Sequence, residues 1–123
     1  MKISIITVVK NDYRNISKTI NSVINQTYKN YHIYIIDDHS TDNSLDKISK
    51  YSKLKNINII SLKKNKGPSF CRNYSMRISK SKYISFIDSD DIWASDKLEK
   101  QISFMEENNF TFTYTDYTPF FEK

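Results

Sequence analysis

From Lys2 to Val9 the chain is a nearly continuous run of apolar and β-branched residues, the pattern of a strand buried on both faces. Between Tyr13 and Gln26 the spacing turns helical: Ile16, Ile20, Val23 and Ile24 recur at i, i+4, i+7 and i+8. A second buried strand runs from Tyr31 to Ile36 and stops at Asp37-Asp38. Ser40-Thr41-Asp42 then offers capping side chains and first-turn negative charge to a helix carrying Leu45 and Ile48. Ile57 to Leu62 reads as a third strand. The basic turn Lys63-Lys64-Asn65-Lys66-Gly67-Pro68 leads into a helix from about Ser69, with Phe70, Tyr74 and Ile78 as its apolar positions. Lys82 to Ile87 is a fourth strand ending in Asp88-Ser89-Asp90-Asp91, and a helix from Ser95 or Asp96 carries Leu98, Ile102 and Met105. Phe110 to Tyr114, where aromatics alternate with threonine, is expected as a fifth strand at an edge or half-exposed. Strands alternating with helices predict right-handed βαβ units and a mainly parallel sheet, an α/β fold.

Composition narrows the class. With 123 residues there is room for one domain, and 38% hydrophobic with 14% aromatic residues is enough to build a core, which excludes a disordered chain. Cys71 is the single cysteine, so no intramolecular disulfide framework exists and a reducing compartment is expected. No apolar run approaches the ~20 residues of a membrane span, and the N-terminal apolar stretch is too short for a signal peptide, so a soluble cytoplasmic chain is expected. The counts of 16 Lys to 3 Arg, 18 Ile, 12 Asn, one Ala and one Gly have the skew of AT-rich coding, which makes the few remaining Gly and Arg positions informative. The net charge of +5 admits nucleic acid, an anionic membrane surface or phosphorylated substrates as partners. Nucleic acid is disfavoured, because the basic residues are scattered and no RNA- or DNA-binding signature occurs. The aromatic ending Pro119-Phe120-Phe121, with Phe110 and Phe112, predicts a sheet and core that normally continue, and self-association of the chain alone.

Ligands of an open parallel sheet bind at the carboxyl ends of its strands. There the sequence puts Asn11-Asp12, Asp37-Asp38 and the Asp88/Asp90/Asp91 cluster. Carboxylates held a few Å apart raise one another's pKa, so the crowding implies bound cations or basic partners. Oxygen-only donors point to Mg²⁺ or Mn²⁺, and His32 and His39 lack zinc-like spacing. Such an ion, held by one or two carboxylates, usually shares its other positions with substrate phosphates. Taken singly, Asp37 and Asp42 read as ordinary strand-end and helix-cap residues. Gly67-Pro68 opens a helix whose first turns hold Ser69 and Arg72, so amides and a guanidinium can face an anion. The Lys63–Lys66 run reads as a solvated loop and Cys71 as a core residue rather than a nucleophile. No Walker loop, GxGxxG or GxSxG is present.

Four segments, in order, carry a family resemblance. They are Ser4 to Asn11 with the following Ser22 to Tyr28, Ile36 to Asp42, Asn65 to Asn73, and Lys82 to Trp93. Together they resemble the N-terminal, nucleotide-sugar-binding half of a family 2 glycosyltransferase with the GT-A fold, a Rossmann-like three-layer α/β/α arrangement. Lys97-Leu98-Glu99-Lys100-Gln101 and Phe112-Thr113-Tyr114 look closest to bacterial transferases of cell-surface polysaccharides, such as those of teichuronic acid.

The resemblance implies an inverting, metal-dependent hexosyl transfer from a nucleotide-diphosphate donor, a UDP-sugar, to a polysaccharide or lipid-linked acceptor. It implies Mn²⁺ or Mg²⁺ as cofactor and allows peripheral contact with the inner face of the cell membrane. Asp38 would accept a hydrogen bond from the nucleobase, flanked by Val8, Lys10 and Asn11, with Arg72 near the nucleotide. Asp88 to Asp90 would be the DXD motif, Asp90 on the metal, Asp88 on metal or ribose, and Asp91 behind them or facing the donor sugar. Lys10 stands where the family often has Tyr, so a phosphate or carbonyl contact replaces aromatic packing on the base. Residues 1–123 would be the donor-binding part of a single domain, the acceptor part and the base lying beyond Lys123; Asp116 and Glu122 match no base motif. Three other readings stand beside this one. They are a phosphotransfer domain using Asp88 and Asp90, a truncated fragment that only binds nucleotide, and a basic nucleic-acid binder.

Overall fold

The computed structural model describes residues 2–121. Its elements are β1 (Ile3–Val9), α1 (Ile16–Ile24), β2 (Tyr31–Asp37), α2 (Ser44–Ser49), β3 (Ile57–Ser61), α3 (Pro68–Ile78), β4 (Tyr83–Phe86) and α4 (Lys97–Glu107). The four strands form one parallel sheet in the order β3-β2-β1-β4. Across it Ile5 sits opposite both Ile33 and Ser85, and Ile33 opposite Ile57.

Alternation along β1 splits its side chains between two layers. Ile3, Ile5 and Val9, with Ile33, Ile35, Ile57 and Ile87, pack against Ile16, Ile20 and Val23 of α1, Ile48 of α2 and Leu98 and Ile102 of α4. The opposite face is covered by α3, whose Cys71 and Ser75 are buried. Ser79 Oγ, at the end of α3, donates to the buried Ser4 Oγ at 2.7 Å, which fixes the helix over that face. One helix has to cover four strands on this side, and Ile84 and Phe86 of β4 stay exposed. Gln26 is wholly buried and fully bonded: it donates to the Ala94 carbonyl at 2.7 Å and accepts from the Leu98 amide at 3.0 Å, pinning the entry to α4. No helix among the described residues is long and apolar enough to cross a membrane.

Three expectations are corrected. Phe110–Tyr114 forms no strand among the described residues; Phe112 and Tyr114 are 80% and 87% exposed, and no sheet edge pairs with them. A strand needs a neighbour to take its amides and carbonyls, so alternation alone does not make one. Second, Phe70 and Tyr74 do not face the core; they stack on each other, ring centroids 6.4 Å apart, on the outer surface of α3. The small residues Cys71 and Ser75 take the inner face because the helix lies close to the sheet. Third, α1 and α2 begin later than their spacing suggests, since residues 11–15 and 39–43 are spent on the loops described next.

Candidate functional site

The chain leaves β1 towards β2 and β3, then returns to the other flank of β1 as β4. The connections after β1 and β4 therefore diverge, and in open α/β sheets that reversal opens a crevice at the carboxyl edge. Lys10–Asp12, Asp37-Asp38, Asn65–Gly67 and Asp88–Asp91 all come to this edge.

The loops after β1 and β2 are tied together. Asn11 and His39 have φ of 52° and 60°, in the left-handed region that these residue types tolerate better than most. Asn11 Oδ1 accepts from the Thr41 amide at 2.7 Å, the Asn11 amide donates to Ser40 Oγ at 3.0 Å, and Lys10 Nζ donates to the His39 carbonyl. Asp38 is buried, and its carboxylate accepts from the backbone amides of Lys66 at 2.7 Å and Gly67 at 2.9 Å. It therefore fixes the loop that opens α3. Gly67 has φ +85°, and nothing lies within 4 Å of where its Cβ would be, so backbone conformation alone demands the chain's single glycine. Asp37, buried beside it, accepts from the Ser40 amide and from Ser61 Oγ.

The acidic turn after β4 has a separate support. The Asp91 amide donates to the Asp88 carbonyl at 3.1 Å, and Thr19 Oγ1 lies 2.7 Å from the Ser89 carbonyl oxygen and 2.8 Å from that of Asp91. Ser89 Oγ donates to Asp12 Oδ2 at 2.6 Å, and Asn15 Nδ2 to Asp12 Oδ1 at 2.8 Å. With Ser89 turned inward, Asp88, Asp90 and Asp91 are exposed. Arg72 Nη2 reaches Asp88 Oδ1 at 3.0 Å, joining α3 to the acidic turn. Desolvation, and then the charges of Asp88 and Asp90, raise the Asp91 carboxyl above the ordinary aspartate value. Among the described residues no three His, Cys, Asp or Glu side chains converge into a metal cage. The buried Cys71 thiol is pushed up to about 11, first by burial and then by Asp38, so it is no nucleophile.

Val8 is half-buried near the end of β1; Lys10 and Asn11 follow β1, and Asp88, Asp90 and Asp91 follow the adjacent β4, all exposed at the same carboxyl edge. Asp116 lies exposed on the C-terminal segment, and Glu122 falls outside the described residues. Sequence reasoning missed Thr19, Asp12 and Ser89 as supports. A hydroxyl at position 19, inside the apolar stripe Ile16-Ile20-Val23, was the available signal. A cavity of about 400 Å³ lined by Asn11–Asn15, Asp42 and Asn43 lies to one side and touches only Asn11 and Asp12 of the edge. Thr19→Val, which keeps the packing and removes the hydroxyl, is expected to cost about 1–2 kcal/mol in urea denaturation and to speed amide exchange at Ser89 and Asp91. An unchanged midpoint and unchanged exchange would show that the hydroxyl does not hold the turn.

Residues 4–123 match the family profile described as Glycosyl transferase family 2. The chain is 37% identical over 117 residues to the putative teichuronic acid biosynthesis glycosyltransferase TuaG of Bacillus subtilis, covering 94% of the chain and 46% of TuaG. It is 43% identical to the Escherichia coli UDP-Glc:alpha-D-GlcNAc-diphosphoundecaprenol beta-1,3-glucosyltransferase WfaP, covering 94% of the chain and 45% of WfaP. Its fold superposes on the crystal structure of S. aureus TarS 1-349 in complex with UDP with a TM-score of 0.82 at 28% identity, covering 89% of the chain and 33% of that 1-349 chain. The chain spans between 17% and 46% of the length of such curated relatives.

Proposed function

This chain belongs to glycosyl transferase family 2, and from that premise we propose that its carboxyl edge binds the nucleoside diphosphate of a UDP-sugar. On this reading residues 1–123 are the donor-binding part of a GT-A domain that extends a cell-surface polysaccharide or lipid-linked glycan with inversion, at the cytoplasmic face of the membrane. The observation that carries it is the meeting of Asp38, Arg72 and Asp88–Asp91 at the one edge where the strand order reverses. UDP is the nucleotide in the TarS complex, and UDP-Glc and a diphosphoundecaprenol acceptor stand in the name of WfaP.

Asp38 spends one lone pair of each oxygen on the Lys66 and Gly67 amides, which leaves its others to accept from the imide N–H of uracil. Val8, Lys10 and Asn11 flank the base, and Lys10 meets it held by the His39 carbonyl rather than as a stacking ring. Arg72, from the opposite wall, faces the nucleotide. The exposed Asp88 and Asp90 suit a hard divalent cation, Mn²⁺ or Mg²⁺, because they offer oxygen donors only and share one short turn after β4. Their number fits an ion that completes its shell with phosphate oxygens. When bound, such an ion neutralises charge on the departing diphosphate. Asp91 is left towards the donor sugar. A doubly wound phosphotransfer site is disfavoured because its paired aspartates usually follow the first strand, not β4.

Asp90→Asn removes one charge from the exposed turn without touching a packed group. It is expected to weaken UDP binding in Mn²⁺ at least tenfold by calorimetry, about 1.4 kcal/mol. Equal affinity of variant and wild type overturns the metal assignment, and absence of UDP binding by the wild type overturns the donor site.

A further inference from the structure

Basic residues occur along the whole chain, but the excess of positive over negative charge lies in one stretch. Residues 61–87 carry Lys63, Lys64, Lys66, Arg72, Arg77, Lys80 and Lys82 and no Asp or Glu, while the rest of the chain holds more acids than bases. Arg72 pairs with Asp88 and Lys82 lies 3.7 Å from Glu106. Lys63, Lys64, Lys66, Arg77 and Lys80 make no ion pair among the described residues.

The same stretch holds the apolar surface on the α3 side of the sheet. Phe70, Tyr74 and Arg77 fall at i, i+4 and i+7, one stripe along α3 turned away from the buried Cys71 and Ser75. Phe70 and Tyr74 are 44% and 39% exposed, and Lys66 Nζ lies 5.8 Å from the Phe70 ring centroid. On the sheet beneath, Ile84 and Phe86 are 38% and 44% exposed; their partners in register, Ser4 and Ile6, face α3. Cations without carboxylate partners, interleaved with protruding aromatic and aliphatic side chains, are what an anionic bilayer surface accepts: the charges meet lipid phosphates and the apolar groups enter the headgroup boundary.

We propose that the outer face of α3, with the 63–66 loop and Lys80, is a docking surface for anionic lipid membranes. This does not depend on the donor reading. Tyr and Phe suit the interface because each buries an apolar ring near the polar headgroups. Single-stranded nucleic acid also takes basic and aromatic surfaces, but it is held in a groove whose rings are spaced for bases. Here the two rings stack on each other on the outer surface of a helix instead of standing apart in a groove, which favours lipid.

The test is co-sedimentation of the 123-residue chain with phosphatidylcholine vesicles that do or do not contain phosphatidylglycerol. Binding is expected only with the anionic lipid, and to be lost at about 1 M salt, where the Debye length is ~3 Å. Phe70→Ser with Tyr74→Ser, and separately Arg77→Glu with Lys80→Glu, are each expected to weaken it at least tenfold. Circular dichroism and the thermal midpoint should stay close to wild type, because all four side chains lie outside the core. UDP calorimetry on the same variants, expected to be unchanged, reports the donor site independently. Equal binding to neutral vesicles, variants that bind like wild type, displacement of vesicles by a single-stranded oligonucleotide, or a chain dimer dissolved by the same substitutions would each overturn the proposal.

Discussion

Replacing Asp38 by alanine is expected to abolish UDP binding and to lower the folding free energy by about 3 kcal/mol. Two backbone amides, Lys66 at 2.7 Å and Gly67 at 2.9 Å, donate to this one buried carboxylate. Hydrogen bonds to a charged group contribute roughly 1.5–3 kcal/mol each, and donors left unpaired by the truncation carry a further desolvation cost. The loss does not stop at the two bonds. Gly67 opens α3 in a left-handed conformation that Asp38 holds in place, so the α3 N-terminus and Arg72 lose their register against Asp88. Asp38→Asn is the informative companion. It keeps one acceptor oxygen and turns an amide NH₂ towards the other N–H, so about half the stability loss is expected, with nucleotide binding still severely weakened. Urea denaturation and calorimetry read the two effects separately. A third readout is local. Asp38 is the second contribution, after burial, to the raised Cys71 thiol, so the alanine variant should bring that thiol down from about 11 and quicken its alkylation at alkaline pH. Stability and UDP affinity both within error of wild type would show that Asp38 neither braces the loop nor meets the base.

What was legible in the sequence follows from where burial is two-sided. β1 and β2 are covered on both faces, so unbroken runs such as Ile3–Val9 and Tyr31–Ile36 announce them without ambiguity. The acidic ends of β2 and β4 were equally plain, because aspartates directly after a buried strand can only emerge at its carboxyl edge. Helix facing was less legible. Phe70 and Tyr74 outrank Cys71 and Ser75 in hydrophobicity, yet the close approach of α3 to the sheet selects the smaller pair for the inside. Periodicity records that a helix has two faces and says nothing of how near its neighbour lies. The site's supports were hidden for a different reason. Thr19, Ser89 and Asp12 act across 70 residues or more of chain through carbonyl, hydroxyl and carboxylate partners, and no local pattern marks such pairs. The fifth strand failed because strand formation is a property of two segments, and Phe110–Tyr114 has no partner among the described residues.

The largest loss is expected in the transfer step itself: residues 1–123 alone should bind UDP-sugar and pass no sugar to an acceptor. An inverting transfer needs an acceptor hydroxyl held near the anomeric carbon and a base within hydrogen-bond reach of its proton, and that positioning supplies much of the rate. The carboxylates at the edge are already engaged or turned to the donor side. Asp12 is held by Asn15 and Ser89, Asp37 by Ser40 and Ser61, Asp38 by Lys66 and Gly67, and Asp88 by Arg72. Burial, with Asp88 and Asp90 beside it, raises the Asp91 carboxyl, but Asp91 shares a four-residue turn with the proposed cation ligands. Asp116 is exposed on a segment without regular structure, its Oδ1 accepting from the Tyr117 amide next to it, so no scaffold aims it at the edge. Water can still reach a donor bound among side chains as exposed as Asp88, Asp90 and Asp91, and slow metal-dependent hydrolysis of UDP-sugar is the activity expected to persist. The comparison is a radiolabelled UDP-sugar assayed for label in free sugar and in a lipid-linked acceptor, with Asp116→Asn and Asp91→Asn alongside wild type. Hydrolysis without transfer fits a donor-binding half. Robust transfer that Asp116→Asn abolishes would make that residue the base and the 123-residue chain a self-sufficient enzyme.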